Sequence, residues 1–234
     1  MDVVVNAATS VDGKLSTRER RQVRISGSED FARVDRQRAA ADAVLVGVGT
    51  VLADDPSLTR HDREHRRDLR ERGAVLDGPP ARVVADSRGR TPTEAAVLAG
   101  DPPTHVFLSE AAPTERREAL AGAGATIHVA GADRVDLSSM VATLAGTGAN
   151  RLLVEGGGEL IFSLFAAGLV DRLSTFVGPV VIGGKGAPTL ADGEGFVDES
   201  AFPSLRLDGV ERLDGGVLLE WDVVDRERRP DQWE

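Results

Sequence analysis

Apolar residues fall along this chain in short clusters separated by glycine- and proline-marked turns. Residues 3–8, 43–48, 81–86, 105–108, 126–129 and 151–154 read as strands; 43–48 is a continuous apolar run rich in β-branched side chains, the pattern of a strand buried on both faces, and 151–154 is another buried strand. Segments with helical spacing alternate with them. Ser26-Gly27-Ser28-Glu29 has capping-box spacing, and Phe31, Val34, Arg38 and Ala41 follow on one helical face. Residues 114–121, 137–144 and 159–167 repeat the helical pattern, and the alternation predicts parallel strand pairing. The last third differs. Residues 173–182, 205–213 and 217–224 read as strands without helices between them, and Asp214-Gly215-Gly216 fits a tight hairpin. The expected fold is therefore α/β: a mixed, mostly parallel sheet with helices on both faces and antiparallel C-terminal strands. Residues 60–73 are densely charged and predict an exposed helical excursion or loop outside the core. No linker divides the chain, so one domain over residues 1–234 is expected, with its core at 3–224 and a frayed tail at 225–234.

Composition narrows the chemistry. The 234 residues include no cysteine, which excludes disulfides, thiolate metal sites and cysteine nucleophiles. The net charge of −10 argues against a general nucleic-acid binder, whose affinity comes mostly from cationic contacts to phosphate. No run nears the roughly 20 apolar residues of a membrane span, and the N-terminus lacks signal-peptide character. A cytoplasmic protein without membrane or nucleic-acid partners is expected.

Several turns carry candidate chemistry. Val154-Glu155-Gly156-Gly157-Gly158-Glu159 is a strand running into three glycines and then a helix, which fits either a pyrophosphate site at a helix N-terminus or a tight turn. Gly47-Val48-Gly49 begins a second glycine turn, but Leu52 stands where a dinucleotide fingerprint needs its third glycine. Asp86-Ser87-Arg88-Gly89-Arg90 places a hydroxyl and two guanidiniums after a strand, which favours NADPH over NADH if a dinucleotide binds; a solvated basic turn is the other reading. Glu155 is out of place between a buried strand and an anion-binding turn unless it meets a ligand or a partner donor. Arg38 shares the helical face of Phe31, Val34 and Ala41, so it turns inward to a phosphate or lies on the wet face. Asp12, Asp54 and Asp55 flank turns, where carboxylates commonly serve as caps. Gly184-Lys185 fails as a P-loop because Gly186 replaces the magnesium-binding hydroxyl, and His61 with His65 are too few to predict a metal site.

Asn6-Ala7-Ala8-Thr9-Ser10-Val11-Asp12-Gly13-Lys14, the segment from Gly49 through Thr50, Leu52, Asp54 and Pro56 to Thr59, Val84-Ala85-Asp86-Ser87, and Glu155-Gly156-Gly157-Gly158 together resemble the riboflavin-biosynthesis reductases, most closely the stand-alone archaeal and fungal type. The likeness runs from Val3 to Val224 and implies a dihydrofolate-reductase-like fold. It also implies NADPH-dependent reduction of the ribosyl group of a diaminopyrimidine ribosyl phosphate to ribityl, with hydride delivered to C1′. Cofactor contacts carry over to Thr50, Asp54, Ser87, Val129, Gly156, Gly157, Gly158 and Glu159. Substrate contacts carry over to Asn6, Arg38, Leu58, Glu155 and Arg24, with no catalytic residue fixed and Glu155 the best candidate; no metal is implied. His61 replaces an arginine that bacterial relatives set against the phosphate. A homodimer is implied, with residues from 173 onward as the interface. Two alternatives keep the family fold: the same reaction on the deaminated pyrimidine, and a non-catalytic nucleotide-binding module. An unrelated Rossmann dehydrogenase would instead need helices in the last third.

Overall fold

The computed structural model describes residues 1–224; the tail expected to fray, 225–234, lies outside them. The strands are β1 (Asp2–Ser10), β2 (Ala43–Gly47), β3 (Ala81–Ala85), β4 (Thr104–Leu108), β5 (Ala125–Val129), β6 (Arg151–Val154), β7 (Arg172–Gly178), β8 (Ser204–Leu213) and β9 (Gly216–Val224). They form one sheet in the order β5-β4-β3-β2-β6-β1-β7-β9-β8. The helices are α1 (Ser28–Ala40), α2 (Val48–Asp54), α3 (Arg63–Glu71), α4 (Thr114–Gly122), α5 (Leu137–Gly146) and α6 (Gly158–Ala166).

The apolar runs become central strands because both faces are covered. Val44, Val46, Val84, Val106, Leu108 and Leu153 pack on one side with Leu120 of α4. Val3, Val5, Leu45, Val83, Phe107, Leu152 and Val154 pack on the other against Met140 and Leu144 of α5 and Leu160, Ile161 and Leu164 of α6. The α/β class and the mostly parallel sheet are as expected. Of the three C-terminal strands only β9 is reversed: β7 runs parallel to β1, and β9 runs antiparallel to both β7 and β8. Strand β7 also stops at Gly178, short of the expected residue 182, because Pro179 cannot continue the ladder.

Three local expectations need correction. The N-terminus of α1 is capped not by Ser26 or Ser28 but by the β8–β9 hairpin. The Asp214 carboxylate accepts from the backbone N–H groups of Gly27, Glu29 and Asp30, and Glu29 accepts from the N–H of Asp214, so the capping box closes across the fold. Asp214 and Gly215 both have positive φ, as a two-residue hairpin requires.

The inward face of α1 is also not the Phe31 stripe. Phe31 is 44% exposed, whereas Asp30 and Ala39 are buried and Arg33 and Arg38 reach under the helix. Finally, the charged stretch 60–73 is not wholly outside the core. Arg66 of α3 is buried, and its guanidinium donates to the carbonyls of Ala39, Ala41, Leu76 and Gly78. A charged side chain that satisfies several otherwise orphaned carbonyls is tolerated inside.

Candidate active site

From β1 the chain builds outward through β2, β3, β4 and β5, then returns to place β6 between β1 and β2. Such a reversal opens a crevice at the carboxyl ends of the parallel strands, where open α/β sheets bind ligands. The candidate residues gather along that edge.

At its centre lies the glycine turn. Gly157 caps α6, and no partner among the described residues accepts from the N–H groups of Gly157, Gly158 or Glu159. A helix N-terminus with free N–H groups favours an anion. The peptide between Gly156 and Gly157 is cis, and the Gly156 carbonyl accepts from the N–H of Gly47 on β2. A Cβ on Gly157 would stand 3.4 Å from the Thr50 hydroxyl oxygen, and one on Gly158 would stand 2.3 Å from the Thr189 carbonyl oxygen. Glycine is therefore required at 158 by close backbone approach, and Thr50 of α2 shares the turn's surface. The Glu159 side chain is exposed, so that residue offers its backbone here.

Beside the turn, Arg38 and Glu155 form a fork. Arg38 Nε donates to Glu155 Oε1 at 2.6 Å and Nη2 to Oε2 at 2.7 Å, with the side chains 19% and 11% exposed. Burial by itself would lower the guanidinium's pKa, but the Glu155 hydrogen bonds and charge, with Asp35, leave it raised. The inward reading of Arg38 holds, with a carboxylate as its partner. Val5 and Val154 are paired across β1 and β6, so the next residues, Asn6 and Glu155, lie level on the face toward α1. Arg33 Nη2 donates to Asn6 Oδ1 at 2.8 Å. Arg33 escaped the sequence reading because two residues from Phe31 is the opposite side of a helix; its only local signal is the i, i+3 spacing to Asp30.

Along the other arm, the buried Asp86 accepts from the backbone and hydroxyl of Thr91 and so shapes the turn after β3. Ser87 Oγ accepts from the Val135 N–H, leaving its own hydrogen to donate. Arg88 and Arg90 are exposed and without partners among the described residues. Val129, 47% exposed, ends β5, four strands from β6 and so roughly 19 Å along the edge, a distance for an extended ligand. His105 and His128, 2.9 Å apart, stack beside Phe107 below this end; burial lowers both pKa values, that of His128 further through the charge of His105.

Other predicted residues are placed differently. Leu58 is buried in the core with φ +54, a left-handed conformation that costs a non-glycine residue about 1 kcal/mol or more and concentrates at ligand clamps. Asp54 ends α2 with its carboxyl pKa pushed up by partial burial. Arg24 is exposed, its side chain bonds among the described residues to the Ser26 carbonyl, and no hydrogen bond there brings it against Asn6 or Glu155. His61 is half-buried, and its Nδ1 lies 3.0 Å from the Thr59 carbonyl oxygen. Asp12 proves to be a loop pin. Its carboxylate, lowered to about 2 chiefly by the Ser10 hydroxyl, also accepts from the N–H groups of Ile182 and Gly183. No group of His, Asp or Glu among the described residues is arranged to hold a metal, and no described helix is long and apolar enough to cross a membrane.

Comparison with known proteins gives concordant matches. The family model described as RibD C-terminal domain matches residues 2–219. The 2,5-diamino-6-ribosylamino-4(3H)-pyrimidinone 5′-phosphate reductase of Archaeoglobus fulgidus is 44% identical over 217 residues, covering 93% of this chain and 95% of that protein. The protein of the same name from Methanothermobacter thermautotrophicus is 44% identical over 221 residues, covering 94% and 97%. The solved structure of Acinetobacter baumannii RibD superposes with a TM-score of 0.77 at 25% identity, covering 95% of this chain; the chain spans only 58% of that larger protein.

Proposed function

This chain belongs to the RibD C-terminal domain family, and from that premise we propose that it is the riboflavin-biosynthesis reductase acting on 2,5-diamino-6-ribosylamino-4(3H)-pyrimidinone 5′-phosphate with NADPH. The reaction turns the ribosyl group into ribityl. The observation that carries this reading is the Arg38–Glu155 fork set beside the free N–H groups of α6.

The residues present fit a dinucleotide phosphate. Gly157 and Gly158 allow close approach, the first α6 N–H groups have no acceptor among the described residues, and Thr50 and Ser87 offer hydroxyls at the ends of the neighbouring strands β2 and β3. The unpartnered Arg88 and Arg90 suit a 2′-phosphate, which favours NADPH over NADH. Val129 and Glu159 border the same edge, and Asp54 ends the helix that carries Thr50. A bound dihydronicotinamide supplies the hydride.

The protein's own part is orientation. Arg38 holds the Glu155 carboxylate with both oxygens engaged yet each retaining a lone pair, so it accepts from substrate N–H or hydroxyl groups in one fixed direction. Asn6, level with it on β1, meets the same substrate, and Arg38 also anchors the chain at the Arg60 carbonyl, two residues beyond the left-handed Leu58. Hydride adds to C1′ of the ring-opened, imine-like sugar and the nitrogen takes one proton, leaving an amine.

We also read the chain as a cytoplasmic homodimer joined through the outer C-terminal strands, where Leu207 and Val210 of edge strand β8 are 47% and 60% exposed. Light scattering at a monomer mass would exclude that assembly.

The test is NADPH oxidation with the diaminopyrimidine substrate and with its deaminated counterpart. Turnover of the diamino compound is expected. Turnover of the deaminated compound alone overturns the substrate assignment, and failure to bind NADPH at micromolar to sub-millimolar concentration overturns the enzyme reading, leaving a non-catalytic module.

A further inference from the structure

Helix α1 fixes two site residues from above. Arg38 holds Glu155, and Arg33 holds Asn6 through a wider set of bonds. Arg33 Nε and Nη2 donate to Asp30 Oδ1 at 2.9 and 2.7 Å, Nη2 to Asn6 Oδ1 at 2.8 Å, and Nη1 to Ser174 Oγ at 2.9 Å. Asp30, Asn6 and Ser174 are all buried, at 2%, 7% and 3% exposure. Asn6 and Ser174 are paired neighbours on β1 and β7, so a single guanidinium spans both strands and ties them to α1.

A guanidinium can only donate, so the amide atom that faces Arg33 must be the oxygen. This fixes the orientation of Asn6 by chemistry. Its Nδ2 group then points away from Arg33 and has no hydrogen-bond partner among the described residues, yet it is not among the atoms sealed from solvent without a partner. Nδ2 is therefore not wholly sealed from solvent, on a strand residue that lies level with Glu155. An unpaired amide donor on an otherwise buried residue needs an acceptor from elsewhere.

We propose that Arg33 is a positioning residue that locks the Asn6 side chain so that Nδ2–H presents a donor to the substrate, and that the site thereby reads a carbonyl or hydroxyl oxygen there while Glu155 reads a donor. This inference rests on the proposed reductase reading. Lysine at position 33 would keep a charge against Asp30 but, lacking the planar fork, would not hold Asn6 and Ser174 together.

The experiment measures kcat and KM for the pyrimidine substrate, with NADPH binding by fluorescence as a second readout, in the wild type, Arg33→Lys, Asn6→Ala and the double variant. Arg33→Lys is expected to lower kcat/KM about 30-fold, mainly through KM, with the NADPH Kd within about twofold of wild type. In the Asn6→Ala background the same change should cost under about threefold, because the two residues act as one unit. A kcat/KM for Arg33→Lys within about threefold of wild type, or losses that multiply in the double variant, would overturn the proposal. If Arg33→Lys does not bind NADPH, Asn6→Asp decides. That change keeps the bond to Arg33 but exchanges the Nδ2 donor for an acceptor, so a large loss of kcat/KM with normal NADPH binding is expected, and unchanged kcat/KM overturns the inference. Inactivity of the wild type on every pyrimidine tested would instead refute the reductase reading itself.

Discussion

Replacing Glu155 by glutamine tests the fork beside the glycine turn. Glutamine keeps one oxygen for one guanidinium N–H but turns an NH2 group toward the other, where both groups donate. Each hydrogen bond to a charged group contributes about 1.5–3 kcal/mol, and one of the two is lost outright. Because the side chains retain 19% and 11% exposure, water relieves part of the penalty, so a destabilisation of about 2 kcal/mol is expected. For a chain of this size that lowers the melting temperature by about 4–8 °C. The effect on catalysis should be larger, about 100-fold in kcat/KM, equivalent to about 2.7 kcal/mol of transition-state stabilisation. Differential scanning fluorimetry and NADPH oxidation read the two effects separately. The double variant Arg38→Met with Glu155→Leu sharpens the distinction, since replacing a whole ion pair by apolar groups is often near neutral for folding. It should melt near the wild type and still be inactive. A Glu155→Gln protein with wild-type melting and wild-type turnover would refute the fork's role.

Three further outcomes follow from the geometry. Arg66→Met leaves four carbonyls without their donor and should cost about 3 kcal/mol in urea unfolding, against under about 1 kcal/mol if α3 were only a surface excursion. The His105–His128 pair has folded-state pKa values lowered by burial, so its contribution is fully present above the unfolded value of about 6.5 and is lost as pH falls below it toward the folded values. His128→Phe, which keeps the stack on Phe107, should flatten the urea midpoint's pH dependence in that window, and an unchanged profile would exclude the pair as its source. Gly158→Ala, whose Cβ would meet the Thr189 carbonyl, should abolish NADPH binding, while Gly122→Ala, with open space around it, should not; equal binding by both would remove the glycine turn from the cofactor site.

The parallel half of the sheet is legible in the sequence because strands covered on both faces must be apolar throughout, as at Ala43–Gly47 and Arg151–Val154. Glu155 is legible for the converse reason: a carboxylate between a buried strand and a glycine turn needs a partner, and Arg38 is that partner. What fails is what depends on distant chain. The cap of α1 is Asp214, which lies 185 residues from Glu29 in sequence. The inward face of α1 is polar because it meets Asn6, Ser174 and Glu155, so apolar spacing points to Phe31 and passes over Arg33. Arg66 hides among exposed charges, since only the fold reveals the carbonyls it satisfies.

The most direct test is to follow the fate of the hydride. With NADPH deuterated at the transferable position of the nicotinamide, incubation with the diaminopyrimidine ribosyl phosphate should give a ribityl product carrying deuterium at C1′. A ribityl product without that deuterium, or unchanged substrate beside protein that binds NADPH, would contradict hydride transfer at the crevice between Glu155 and the glycine turn.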